Sequence, residues 1–281
     1  MRITMHIFHR SIIIFMLLIV TNIDAHGSQF AEVSDKKATD LAEVVQSVKD
    51  ADVIFIGEVH DNPQHHKAQI DILRSLHTSK STVAIGLEMF TTEDQHQLDD
   101  WIGAKIDEET FQPIFSRNWS YGWQLYRDLF IFARDNHIPL IALNTPKAVI
   151  ARVVAQGSSA QQASEMPPKM SWSLNESQAY YMRTIARQVF GNTPPDKLVV
   201  RLCEAQALRN NWMAWNVAKY KNKREADIVV VLAGTWHAVK NGVPERLSTY
   251  EQLTYKVILP ELPEFKLENA TVKEADYLIT R

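Results

Sequence analysis

The sequence predicts an α/β fold: a central parallel sheet flanked by helices, with a helical lobe inserted over the C-terminal edge of the strands. Three observations carry that prediction. Four short runs, 52–56, 82–87, 139–143 and 227–233, are rich in β-branched residues and continuously apolar, as strands buried on both faces are. The segments between them carry helical periodicity, so strand, turn and helix alternate along the chain. Polar residues gather immediately after the apolar runs, where the ends of parallel strands form a common edge.

Taken in chain order, residues 1–25 predict a secretory signal peptide. Arg2 and Arg10 supply positive charge, Ile12 to Val20 is an uninterrupted apolar run, and polar Asn22 to Asp24 precedes the small Ala25. That run is shorter than the about 20 residues a membrane span takes. Cleavage after Ala25 leaves residues 26–281 as a single exported domain, periplasmic or associated with an outer membrane, with no lipoprotein cysteine. After the first strand, Asn62 and Pro63 predict a helix start, and His66, Ile70, Leu73 and His77 share one face of that helix. Of the adjacent histidines, His65 is expected at the surface and His66 on the apolar side. Asn144-Thr145-Pro146 repeats the starting device before a helix that ends at Gly157. Two long stretches, about 91–135 and 158–222, break the alternation with helical patterns and no strand, and 158–172 reads as an exposed loop. These are the additions expected to form the lobe.

Composition excludes more than it names. The chain has 281 residues, 46% hydrophobic and 22% charged, which suits a globular domain. A net charge of −3 offers no basic stripe, so nucleic acid is not expected as a partner. The single cysteine, Cys203, excludes internal disulfides, four-cysteine metal sites and covalent CxxCH haem attachment, and its apolar neighbours place it in a core. No HExxH, GxSxG, P-loop or GxGxxG pattern is present.

The chemistry lies at the strand ends. The first run closes with Glu58 and His60, the second with Glu88, the third with Asn144, and the fourth with His237. Carboxylates flanked by Ile56, Val59, Leu87 and Met89 are expected to be buried, and buried carboxylates need partners. The repeated Gly-x-x-His of Gly57/His60 and Gly234/His237 is read as backbone that turns tightly and keeps a cleft floor open. Glu58, His60, Glu88 and His237 are thus a candidate set either for general acid–base chemistry or for a divalent metal.

The segments IGEVHDNPQHH, GLEMF, PLIALNTPKAVIARV, AQALRNNWMAW and AGTWHAVKNGVPERL, in this order, resemble the ChaN-like proteins, which group with the Tiki and erythromycin-esterase-like proteins. The resemblance spans roughly residues 45–260. It implies an α/β sheet with helical additions and a role in bacterial iron uptake with non-covalent haem, with an outer-membrane haem receptor and a homodimer as candidate partners. Glu58, His60, Glu88 and His237 match the shared polar cluster, and Asn144 and His66 match further ChaN-like positions. Where ChaN-like sequences commonly read Gln-x-x-x-Asp-x-x-Met-Ala, this chain has Gln206, Asn210, Met213 and Ala214, which removes a charge.

Two functions follow as expectations. In the first, haem takes an axial ligand from Tyr126, Tyr180, Tyr181 or His66, and Trp101, Trp119, Trp123, Trp172, Trp212 and Trp215 supply its apolar face. In the alternative, a hydrolase of the esterase or protease kind, Glu58 or Glu88 activates water. His60 or His237 then steadies an oxyanion or holds a metal.

Overall fold

A computed structural model describes residues 29–280 apart from 80, 192 and 224, so the expected signal peptide at 1–25 lies outside the described residues. The strands are β1 (Phe30–Glu32), β2 (Lys37–Thr39), β3 (Val53–Glu58), β4 (Val83–Thr91), β5 (Leu140–Asn144), β6 (Ile228–Gly234), β7 (Tyr255–Pro260) and β8 (Tyr277–Ile279). They form one sheet in the order β2-β1-β8-β7-β3-β6-β4-β5. From β8 across to β5 every pairing is parallel, and only β1 is reversed, pairing antiparallel with both β8 and β2. The expected runs are β3, β4, β5 and β6; the short β1, β2 and β8, and β7 with its partly exposed start, were not expected.

The adjacent strands β3, β6 and β4 read as apolar runs because both faces are covered. Ile54, Ile56, Ile85, Leu87, Val230 and Leu232 point into one core layer, and Val53, Phe55, Ala84, Val229, Val231 and Ala233 into the other. The first layer is closed by α1 (Leu41–Val48), α2 (Pro63–Thr78), α3 (Gln95–Ile102), α4 (Glu108–Asn118) and α5 (Trp123–Asp135). α6 (Lys147–Gln156) and α7 (Glu176–Phe190) follow, and the second layer is closed chiefly by α8 (Asp196–Lys221) and α10 (Val243–Tyr250), with the short α9 (Thr235–Ala238) between. Among the described residues no helix is long and apolar enough to cross a membrane.

The start of α2 is as the sequence predicts. Asn62 is the N-cap, its side chain accepting from the Gln64 amide, and Pro63 takes the first turn. Asn144 does not repeat that role: it ends β5, and Pro146 precedes α6 without a side-chain cap. Its amide is drawn instead into the strand-end network described below. His65 is buried rather than exposed, its Nδ1 accepting from the Val59 amide at 3.0 Å and closing the turn between β3 and α2. Cys203 is only partly buried, in the N-terminal part of α8 rather than in a core.

Strand β5 is an edge, and an open parallel edge invites pairing with another chain. Gln95 covers it. Its side-chain amide donates to the Leu140 carbonyl and accepts from the Ala142 amide, both at 2.8 Å, as a neighbouring strand would. Gln95→Leu should remove both bonds and destabilise the fold by about 1–2 kcal/mol. Urea unfolding checks the loss, and sedimentation of the variant reads any edge-to-edge association.

Candidate functional site at the strand ends

Glu58, the last residue of β3, is 2% exposed, and both carboxylate oxygens are occupied. Oε1 accepts from the Tyr126 hydroxyl at 2.6 Å and from His60 Nδ1 at 2.8 Å, and Oε2 accepts from the Gln69 amide at 2.8 Å. His66 lies 3.4 Å from Oε2 and donates its Nε2 hydrogen to the His60 carbonyl at 3.0 Å. Burial alone would raise the Glu58 pKa, but the hydrogen bond from His60 and the charge fields of His66 and His60 carry it below the ordinary value. For His60 burial works downward, yet the bond to Glu58 and the nearby Glu88 raise its pKa. The His60 ring sits edge-on to Trp119, with centroids 4.8 Å apart, and against Tyr121 at 4.9 Å.

Glu88 forms the second centre. The guanidinium of Arg209, from α8, bonds its Oε1, and the Gly234 amide donates to Oε2 at 2.6 Å. His237 Nε2 lies 3.5 Å from Oε1. Burial would push the Glu88 carboxyl up, but His237, Arg209, His60 and the Gly234 amide hold it at about 2. His237 behaves oppositely. Burial first, then Arg209, depress it to about 3, so it is neutral at pH 7 and Arg209 is the counter-charge of Glu88. Its Nδ1 hydrogen points to Asn210 Oδ1 at 2.6 Å, and Asn210 is held in turn by Gln178 at 3.0 Å. The amide that replaces the common aspartate therefore still orients His237, without a charge to stabilise its protonated form. Asn144 ties the third strand end in: its Nδ2 donates to the Glu88 carbonyl at 2.8 Å and its Oδ1 accepts from Arg209 Nε at 3.2 Å.

In the second Gly-x-x-His, Gly234 has a different basis from the turn that the spacing suggests. Gly234 has φ −55°, open to any residue, but a Cβ there would meet His60 Cε1 at 2.7 Å. It is glycine so that the His60 ring can lie against the β6 backbone.

Three of the four strand-end residues, Glu58, His60 and His237, border one space. A cleft of about 490 Å³ is lined by Glu58, His60 and His237, by Arg209, and by Tyr121, Tyr181, Met182, Ile185, Trp236 and Leu262, with Asp61 and Glu264 at its rim. Glu88 lies just beneath, bonded to Gly234 and Arg209 of that wall. Of the other sequence candidates, Tyr181 is in the cleft, stacked on Trp236 at 4.1 Å. Tyr126 is buried behind Glu58, and Tyr180 is 64% exposed and not among the cleft residues. Trp101, Trp123 and Trp212 are core residues, and only Trp119 of the expected tryptophans touches the cluster. The sequence reading missed Arg209, Gln69 and Trp236. An arginine inside the apolar AQALRNNWMAW helix, and a glutamine one turn after His66, were the available signals. Among the described residues no three His, Cys, Asp or Glu side chains gather as a metal site requires. The Arg209 guanidinium stands where a cation would meet Glu88.

Parallel strand ends carrying two carboxylate–histidine centres under a helical lobe define an α/β protein with a polar cleft. The family model for haem-binding uptake proteins of the Tiki superfamily, ChaN, matches residues 44–247, and the chain belongs to that family. The fold is similar to that of a Campylobacter jejuni protein described as showing cofacial haem binding to ChaN, with TM-score 0.72 and 19% identity over 89% of this chain and 94% of that one. A mutant erythromycin esterase in its open conformation is a more distant likeness, with TM-score 0.50 and 12% identity over 83% of this chain and 76% of that one. A chloroplastic Reticulata-related protein of Arabidopsis thaliana is 28% identical over 137 residues, 47% of this chain, and the match spans only 18% of that relative's length.

The two histidines should act oppositely on acid stability. His237 is neutral when folded but takes a proton near 6.5 when unfolded, so its contribution falls as pH drops below 6.5. His60 has a raised folded pKa, so its contribution is full below 6.5 and is lost as pH rises through that raised value. His60→Gln should steepen the loss of stability between pH 7 and 5, and His237→Gln should flatten it, as read from urea midpoints. Glu88→Gln leaves Arg209 without its counter-charge. It should cost roughly 2 kcal/mol at pH 7, below the 3–5 of a fully buried pair because Arg209 is 23% exposed.

Proposed function

We propose that the protein binds haem non-covalently in the strand-end cleft, through the Tyr181 hydroxyl, as an exported component of bacterial haem uptake. The observation that carries this reading is the state of the candidate donors. The Tyr126 hydroxyl is committed to Glu58 and to the Trp119 indole, and His66 is held by the His60 carbonyl and Gln69. Tyr181 has a hydroxyl with no hydrogen-bond partner among the described residues, and its ring lies flat on Trp236.

The cleft residues fit the group. Trp236, Tyr121, Met182, Ile185 and Leu262 offer aromatic and aliphatic contact in a volume usual for ligand sites. Arg209 is the basic group within it, and Asp61 and Glu264 bar propionates from their part of the rim. Burial, helped by Glu264 and Glu88, pushes the Tyr181 phenol to about 12, so an unliganded cleft keeps it protonated. Bound haem would supply a ferric centre, whose charge favours the phenolate as ligand. That the Campylobacter jejuni protein of similar fold is described as binding haem supports haem as the ligand.

A hemin titration followed in the Soret band tests the reading. Saturable one-to-one binding with a shifted band is expected, and Tyr181→Phe should weaken it at least tenfold while Tyr126→Phe and Tyr180→Phe keep the spectrum. An unshifted, unsaturable signal would sink it. Sedimentation with and without hemin reads the proposed homodimer, and N-terminal sequencing of a periplasmic fraction reads export; the outer-membrane receptor would be sought by capture on hemin-loaded protein.

One observation favours a hydrolase as a second reading: His60 is held by Glu58 at 2.8 Å through one ring nitrogen and borders the cleft. In it His60, not Glu58, is the general base, since both Glu58 oxygens are engaged. Hydrolysis of p-nitrophenyl esters should then fall 10²–10⁴-fold in His60→Gln and survive in Tyr181→Phe. No turnover above the buffer rate would remove this reading.

A further inference from the structure

A second and larger cavity, about 640 Å³, lies between α7 and α8 on the side away from the strand-end cleft. Trp172, Pro194, Val199 and Val200 give it an apolar wall, and Arg183 and Arg187 project from one face of α7 at its mouth. The cavity also meets Cys203, Thr193, Asp196 and Glu204.

Two features ask for an occupant. Arg183 and Arg187 are one helical turn apart, where like charges repel, and among the described residues neither has a hydrogen-bond or ion-pair partner. Of the two acids, Glu204 is occupied by the Ser158 hydroxyl at 2.5 Å and its amide at 3.0 Å, and Asp196 sits in the first turn of α8, where the helix end offsets its charge. Second, the apolar wall continues onto the surface. Val200 is 55% exposed and Phe190, at the end of α7, is 54% exposed, two of the few large apolar side chains left to solvent. Paired guanidinium groups beside an apolar trough are complementary to an anionic head on an apolar body.

We propose that this cavity is a binding site for a single-chain amphiphile with an acidic head, a carboxylate or a phosphate, held by Arg183 and Arg187 with its chain along Trp172, Val199 and Val200. The site is separate from the haem cleft, since Tyr181, Met182 and Ile185 use the opposite face of α7.

Cys203 is the only cysteine in the chain and lines this cavity, so it reports occupancy directly. The test is the rate at which N-ethylmaleimide labels the full protein, with laurate, dodecyl phosphate or dodecyltrimethylammonium added below their micellar concentrations. Laurate or dodecyl phosphate should slow labelling at least fivefold and the cationic amphiphile should not; the stronger of the two anions identifies the head group. Arg183→Ala/Arg187→Ala should abolish the protection while hemin titration is unchanged. Several results would overturn the proposal: no protection by either anion, equal protection by the cation, or protection that survives in the double variant. Loss of hemin binding in a folded double variant would instead assign the arginines to the haem site. Binding only to anionic phosphatidylglycerol vesicles, with no protection by monomers, would make the patch a membrane-facing surface and reject the cavity ligand.

Discussion

Two carboxylates buried at the ends of parallel strands must each be met by hydrogen-bond donors and positive charge, and much of the molecule is arranged around that requirement. An ionised carboxylate without partners would cost several kcal/mol in such a setting. Glu58 is answered by Tyr126, His60 and Gln69, which come from α5, the β3–α2 turn and α2. Glu88 is answered by Arg209 from α8 and by the backbone of Gly234. The two carboxylates therefore tie both helical additions to the sheet, and the cleft is what remains open between them.

The same requirement gives the two histidines different chemistry. His60 borders two carboxylates and gains basicity, whereas His237 is buried beside Arg209 and loses it. Asn210 sharpens that difference, because an amide oxygen fixes the ring without offsetting a proton on it. A site with one proton acceptor and one neutral ring can serve either a ligand pocket or acid–base chemistry, which is why the free hydroxyl of Tyr181 carries weight in the haem reading.

Much of the sheet was legible in the sequence because its central strands are covered on both faces. Val229 to Ala233 alternates between two core layers and so reads as one apolar run. Strands β1, β2 and β8 span three residues each, too few to show a period. Glu58, His60, Glu88 and His237 were legible as strand-end residues, but their partners were not. Gln69, Arg209 and Trp236 look ordinary within their segments, and only the packing of α2, α8 and α9 on the sheet brings them in. Asn144 shows the limit in reverse: Asn-x-Pro suggests a cap, yet the strand end pulls its side chain toward Glu88.

The pairing of β1 with β8 also fixes how the body is presented. Phe30 lies opposite Ile279, and Thr280 donates to the Gln29 carbonyl at 2.8 Å. Because β8 runs parallel to β7 and β3, those residues sit on the same edge of the sheet as the cleft, β8 two strands and β1 three strands from β3, or about 10 and 14 Å at the usual strand spacing. A tether attached at either point would hold the molecule mouth-first toward whatever carries the tether. Immobilising it through Gln29 or Thr280 would crowd the cleft, whereas attachment on the opposite edge, near Thr82 or Asp227, would leave it facing solution.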